Sequence, residues 1–203
     1  MKILRNYFYS RYHEGLKTII VHEIPALSII EYFLLHEKPK LIIELGTFYC
    51  GVTALFHETD KSIEIHTFDY KDFMKDLRKA HKPITLEELA EFKKTVFSEN
   101  VHFHIENILE EKPNQTLIDL LNRPEKKFLY CDNGNKIKEI NTYAQYLNPG
   151  DFLGCHDWGT EVFIEGIQET VTKENLKHTQ FSKMLEDRKC STRLFVKELT
   201  QCA

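Results

Sequence analysis

In the run Glu44-Leu45-Gly46-Thr47-Phe48-Tyr49-Cys50-Gly51, glycine at 46 and 51 lets the chain turn sharply and approach a bound group closely, because neither residue presents a Cβ. The run holds too few glycines for a dinucleotide fingerprint. It also lacks the Lys-Ser or Lys-Thr of a phosphate-binding loop, which argues against ATP chemistry. Two glycines by themselves are equally compatible with a purely structural turn. Further on, chemically capable side chains gather at Asp69, at Asn107, at Asp132 to Lys136 and at His156 to Trp158. A carboxylate is acceptor-only, so Asp69 is either a ligand acceptor or the N-cap of a following helix. Trp158, the only tryptophan, has a stacking reading and a packing reading. His102 and His104 flank Phe103 in an apolar run, and they are read as facing opposite sides of a strand and so as no metal pair.

The elements that must position these residues follow from periodicity. Ile24, Leu27, Ile30, Phe33 and Leu34 recur at helical spacing between Glu23 and His36, and Lys38-Pro39 stops that helix. Short β-branched or alternating runs predict strands at 40–45, 63–69, 101–105, 127–131 and 151–156. Helices are expected from Val52, within 71–98 around Pro83, over 113–121, along Ile137 to Leu147 and over 161–171. Two closing strands are expected at 177–181 and 192–197. Strands and helices alternating in this way predict a single α/β domain: a doubly wound, mostly parallel, seven-stranded sheet with an antiparallel C-terminal strand. Ligands bind such sheets beyond the carboxyl ends of the strands, where the polar residues named above fall.

The 203 residues suit one such domain, which we assign to 23–203, preceded by an N-terminal arm at 1–22. The aromatic opening Tyr7 to His13 is read as an acceptor-site cover, a dimer arm, or a segment packed on its own domain. A net charge of −4 offers no uniform positive field for nucleic acid, and no stretch has the length of a membrane span. Five widely spaced cysteines without a C-x-x-C pair, and opening residues unlike a secretion signal, predict reduced thiols in a cytoplasmic protein.

Taken in series, the motifs carry a resemblance. Glu44 to Thr53 resembles motif I of the class I S-adenosylmethionine-dependent methyltransferases, and Phe68-Asp69-Tyr70 looks like their second motif, whose acidic residue accepts hydrogen bonds from the ribose hydroxyls. Phe128 to Lys136 and Leu147 to Trp158 are similar to the later motifs, in the manner of the branch containing macrocin-type O-methyltransferases and cephalosporin-hydroxylase-like proteins. The resemblance spans about residues 23 to 160. It implies adenosylmethionine bound over Glu44, Gly46, Thr47, Gly51, Asp69, Asn107 and Asp132, with a small hydroxylated acceptor, a sugar or secondary metabolite, beside it. It further implies a divalent metal held by Asp132, His156 and Asp157, which we expect side by side at the ends of the fourth and fifth strands.

The chain departs from that pattern in three places. Phe48 stands where many members have glycine. His156 replaces a carboxylate, which turns the ligand set from one for magnesium toward one for manganese, iron or zinc. Asn135 replaces the histidine that serves as base. Two candidates then remain for the base. Lys136 qualifies if desolvation beside a cation lowers its pKa, and is otherwise a surface lysine. His156 qualifies without a metal if an aspartate orients it and raises its pKa. Loss of the usual residues also admits a catalytically silent cofactor- or partner-binding protein, and the His-Asp pair admits a metal-assisted hydrolase or oxygenase.

Overall fold

The computed structural model describes residues 22–71, 94 and 97–199. The expected arm, apart from His22, the helices expected within 71–98, and Cys202 lie outside the described residues. The elements in chain order are α1 (Ile24–Glu37), β1 (Leu41–Leu45), α2 (Gly51–Thr59), β2 (Glu64–Asp69), β3 (Val101–Ile105), α3 (Gln115–Leu121), β4 (Lys127–Cys131), α4 (Lys136–Tyr143) with a 3₁₀ turn at Ala144–Tyr146, β5 (Phe152–Cys155), α5 (Ile164–Lys173), β6 (Leu176–His178), α6 (Gln180–Asp187) and β7 (Arg193–Lys197).

The seven strands lie in the order β3-β2-β1-β4-β5-β7-β6, and β7 alone runs against the rest. β1 and β4 are buried throughout, as strands covered on both faces must be. One apolar cluster packs α1, α2 and α6 on one face through Phe33, Phe56, Phe128 and Phe181. A second packs α3, α4 and α5 on the other face, through Leu45 and Leu129 of the sheet with Leu117, Ile140 and Ile167 of the helices.

The register positions the site. β1 leads outward to β2 and β3, and the chain then returns to place β4 on the other side of β1, so the topological switch point lies between β1 and β4. Leu45 pairs with Phe68 on one side and Cys131 on the other, and Cys131 pairs with Cys155. The next residue on each strand therefore falls in one row: Asp69, Gly46, Asp132 and His156. Backbone bonds extend the ladder into that row, from Gly46 N–H to Phe68 O, Asp132 N–H to Leu45 O and His156 N–H to Cys131 O.

Three local expectations are corrected. The segment expected as a strand at 177–181 is a strand only to His178; the Thr179 side chain then accepts from Ser182 N–H and opens α6, whose Phe181 and Leu185 share one buried face. The helix expected from 161 begins at Ile164, because Glu161 and Val162 close a turn onto the Asp157 carbonyl. His102 and His104 share a face of β3, as residues two apart on a strand do, and both rings stack against His66 of β2.

Candidate functional site

A cleft of about 510 Å³ opens at the carboxyl ends of β1, β2, β4 and β5. Its floor is the glycine turn. Gly46 has φ of +103°, a conformation costly for any side chain, and a Cβ there would lie 2.8 Å from Asn133 N and closer still to the Asp132 carbonyl. Absence of that Cβ is what lets the turn after β4 close against the turn after β1. Phe48 (φ +45°) and Cys50 (φ +59°) continue the left-handed path. The glycine common at position 48 in the resembled motif would meet the same demand without strain; here phenylalanine adopts it at a cost of about 1 kcal/mol, with its ring exposed.

Asp69 closes the loop from the other side. Its Oδ2 accepts from Phe48 N–H at 3.0 Å and its Oδ1 from Lys71 N–H at 3.0 Å, leaving a lone pair on each oxygen for a ligand. Beneath the loop, Thr47 and Thr67 share a hydroxyl hydrogen bond of 2.6 Å, and Thr53 donates to Glu44. Glu44 is buried, and burial outweighs the Thr53 and Thr67 hydrogen bonds to push its carboxyl up to about 8, neutral at pH 7.

Beyond β4 and β5 the structure brings Asp132, His156 and Asp157 together. His156 Nδ1 lies 3.2 Å from Asp132 Oδ1 and 3.3 Å from Asp157 Oδ1, while its Nε2 faces Ser191 Oγ at 3.1 Å. Ser191 in turn donates through both N–H and hydroxyl to Glu23. Burial disfavours the imidazolium, but the Asp132 hydrogen bond and the charges of Asp132, Asp157 and Glu23 outweigh it and raise the pKa of His156. Lys136 Nζ sits 2.8 Å from Asp157, 2.9 Å from Glu161 and 3.8 Å from Asp132. The expectation of a lowered Lys136 pKa is overturned: burial does act in that direction, but hydrogen bonds to Asp157 and Glu161 and the Asp132 charge dominate and raise it. These carboxylates hold Lys136 as an ammonium.

The residue that sequence reasoning left out is His22. Its Nε2 meets Tyr130 Oη at 2.8 Å and Asp132 Oδ2 at 3.3 Å, and its Nδ1 is buried without a hydrogen-bond partner. Burial lowers its pKa to about 4, so the ring is neutral. His22, Asp132 and His156 each offer a ligand atom, all within 4.8 Å of one another, a set that could hold a divalent metal; of the Asp157 oxygens, Oδ2 is engaged by Lys136 and Oδ1 faces His156.

No protein-family model matches the sequence, and no curated protein matches it. Solved structures do match. The chain aligns over 95% of its length with 79% of the apo structure of CmcI-N160, at TM-score 0.62 and 16% identity. It aligns over 94% of its length with 86% of CmcI-N160 bound to SAH, at TM-score 0.59 and 14% identity. A Staphylococcus aureus protein of caffeoyl-CoA O-methyltransferase type matches with TM-score 0.58 and 12% identity over 88% of this chain and 85% of that one.

The fold is that of the class I methyltransferases.

Within this methyltransferase fold, Glu44, Gly46, Thr47, Gly51, Asp69, Asp132, Lys136, His156 and Asp157 all border the described cleft or its walls. Asn107 does not line it: it is exposed after β3, and its side-chain oxygen accepts from Leu109 N–H in its own turn. Trp158 does not line it either, packing 6.0 Å from the Phe195 ring with the Arg193 guanidinium over its face. A lone histidine ahead of a helix, as at His22, carries no local signal of function; only the sheet brings it to Asp132. Among the described residues no helix is long and apolar enough to cross a membrane.

Proposed function

We propose that this chain is an S-adenosylmethionine-dependent methyltransferase that transfers a methyl group to an oxygen of a small hydroxylated acceptor, a sugar or secondary metabolite. The observation that carries the reading is the row Asp69, Gly46, Asp132 and His156 along the cleft. Gly46 lets the turns after β1 and β4 close into the cleft floor, and Asp69 keeps free lone pairs for a ribose diol. Asp132, His156, Asp157 and Lys136 then stand at the adjoining end, where an acceptor would lie. The SAH-bound CmcI structure of the same fold supports the choice of cofactor.

Methyl transfer is an in-line displacement at carbon, so the protein must align the acceptor oxygen with the sulfonium and assist loss of its proton. In the neutral ring, with Nε2–H donated to Ser191 Oγ, His156 Nδ1 would be the atom that takes that proton, beside the Asp132 and Asp157 carboxylates. Lys136 contributes a permanent positive charge that favours the alkoxide as it develops. His22 supports a second reading, in which a divalent metal sits among His22, Asp132 and His156; bound there, it would polarise the acceptor hydroxyl.

Calorimetric titration with adenosylmethionine and adenosylhomocysteine tests the proposal. Saturable binding of one equivalent is expected, and absence of binding for both ligands overturns it. Chelator separates the two readings, since it stops transfer only if the metal is required.

A further inference from the structure

The histidines of β2 and β3 form a cluster that the methyl-transfer site does not use. His66 pairs in register with His102 across the two strands, and His104 lies two residues further along the same face. The rings of His66 and His102 stack with centroids 4.6 Å apart, and those of His66 and His104 with centroids 5.1 Å apart. Glu64, two residues before His66, points the same way, with its Oε1 2.8 Å from His66 Nε2. The Arg123 guanidinium holds both Glu64 oxygens, at 2.7 and 2.8 Å, and so fixes the carboxylate plane.

We infer that Glu64, His66 and His102 form a second metal site, selective for a late first-row divalent ion of the zinc class and separate from the methyl-transfer cleft. One ligand atom from each of the three lies within 4.8 Å of the others. Glu64 Oε1 and His66 Nε2 are 2.8 Å apart, a hydrogen-bond separation, and two ligands about 2.0–2.1 Å from a tetrahedral zinc lie roughly 3.3 Å apart, so the pair opens by about half an ångström to take the ion. Two imidazoles and one carboxylate leave a position for water and suit zinc, nickel or copper better than magnesium or calcium.

The surroundings supply what such ligands need. His66 Nδ1 lies 2.8 Å from His104 Nε2, so a proton on Nδ1 is donated to His104 and the lone pair of Nε2 is directed at Glu64. In that tautomer two acceptors face each other, a contact that a cation relieves. In the other tautomer Nε2–H donates to Glu64, and the metal takes the place of that proton. His104 Nδ1 in turn faces Glu106 at 3.6 Å. Burial lowers the pKa of both His66 and His104, which favours the neutral ring that a metal ligand must be. His102 is exposed and leaves the site open to solvent. His66 precedes Asp69 by three residues, which places it roughly 10 Å down the strand from the cleft rim.

Zinc titration of the full chain against a chromophoric competitor, with cobalt absorption as a second readout, tests the inference. His102→Ala should lose one bound equivalent, or bind it at least about tenfold more weakly, while its far-ultraviolet circular dichroism and melting temperature without metal stay those of the wild type. His104→Gln should weaken the same equivalent by about 10- to 100-fold, as loss of an orienting partner does. A metal bound only in the cleft would leave His102→Ala with the wild-type number of equivalents and the wild-type affinity. That result, or failure of the wild type to bind zinc at all, overturns the inference. Neither outcome depends on whether adenosylmethionine binds.

Discussion

His22 stacks on His156 with ring centroids 3.9 Å apart and planes inclined by 23°, and the two imidazoles are shifted in opposite directions. Burial holds His22 down at about 4, against the pull of Asp132. His156 is buried too, but its hydrogen bond to Asp132 and the charges of Asp157 and Glu23 raise it. Two stacked imidazolium ions would repel, so on acidification the cluster takes its first proton on His156 and leaves His22 neutral.

The stability consequence of His22 follows from linkage. Its folded pKa lies below the unfolded value of 6.5, so the unfolded chain binds the extra proton between those values. The contribution is fully present above pH 6.5 and is lost as the pH falls toward 4, by at most about 3 kcal/mol. Urea unfolding midpoints of wild type and His22→Gln should therefore converge on acidification from pH 7 to pH 4. Parallel curves over that range would show that His22 is not buried as a neutral ring.

Asp69 holds two backbone N–H groups of the loops and keeps acceptor capacity for the cofactor. Removing a charge-assisted hydrogen bond costs about 1.5–3 kcal/mol, so Asp69→Ala should weaken adenosylmethionine binding roughly ten- to a hundredfold. Calorimetry on a variant with the wild-type melting temperature checks this, and an unchanged dissociation constant removes Asp69 from the cofactor site.

Glu44 predicts a pH-dependent affinity. Its carboxyl is pushed up to about 8 and is neutral at pH 7, and a cationic ligand beside it favours the carboxylate. Binding of the positively charged cofactor should then release a proton, and affinity should rise with pH up to about 8. Glu44→Gln has no proton to release there. Heats of binding measured in buffers of different ionisation enthalpy should depend on buffer for the wild type and not for the variant.

Gly46→Ala should be among the most damaging single-methyl changes in the chain. The added Cβ would meet backbone of Asp132 and Asn133 in place of a side chain that could move, at a φ that alanine rarely adopts. Overpacking of that kind costs about 1–3 kcal/mol or more. A lowered melting temperature together with lost cofactor binding is expected, and a variant that keeps both would mean that the two turns do not touch.

Cys50, Cys131, Cys155 and Cys190 are buried and free. Burial pushes each thiol up, Cys155 to about 12, so none is poised as a thiolate nucleophile. Thiol titration of the unfolded, unreduced protein should count all five cysteines of the sequence. A count of three or fewer in protein handled without oxidant would contradict this.

Sequence alone determined the elements whose signals are local. Strands such as 101–105 and 127–131 announce themselves by β-branched and aromatic runs, and Gly46, Asn133-Gly134 and Asn148-Pro149-Gly150 mark turns by backbone chemistry that needs no distant partner. With strand ends located, Asp69, Asp132 and His156 could be named as site candidates, since parallel sheets bind ligands there. α6 was legible in principle, through Thr179 as cap and Phe181 with Leu185, but an eight-residue helix between two short strands offers too little periodicity to displace a strand reading. Tertiary structure decided what depends on distance. Register set Asp132 against His156, and the fold delivered His22 to them from the edge of the N-terminal segment. It also reversed the charge logic of Lys136: desolvation, the effect anticipated from its place in the chain, is real, but three carboxylates from the turns after β4 and β5 converge on the ammonium and outweigh it. Asn107 lies outside the lining of the described cleft, its side-chain oxygen accepting from Leu109 N–H in its own turn. Propensity and turn chemistry are properties of neighbouring residues, whereas a pKa or a ligand set sums over groups that only the folded chain makes neighbours.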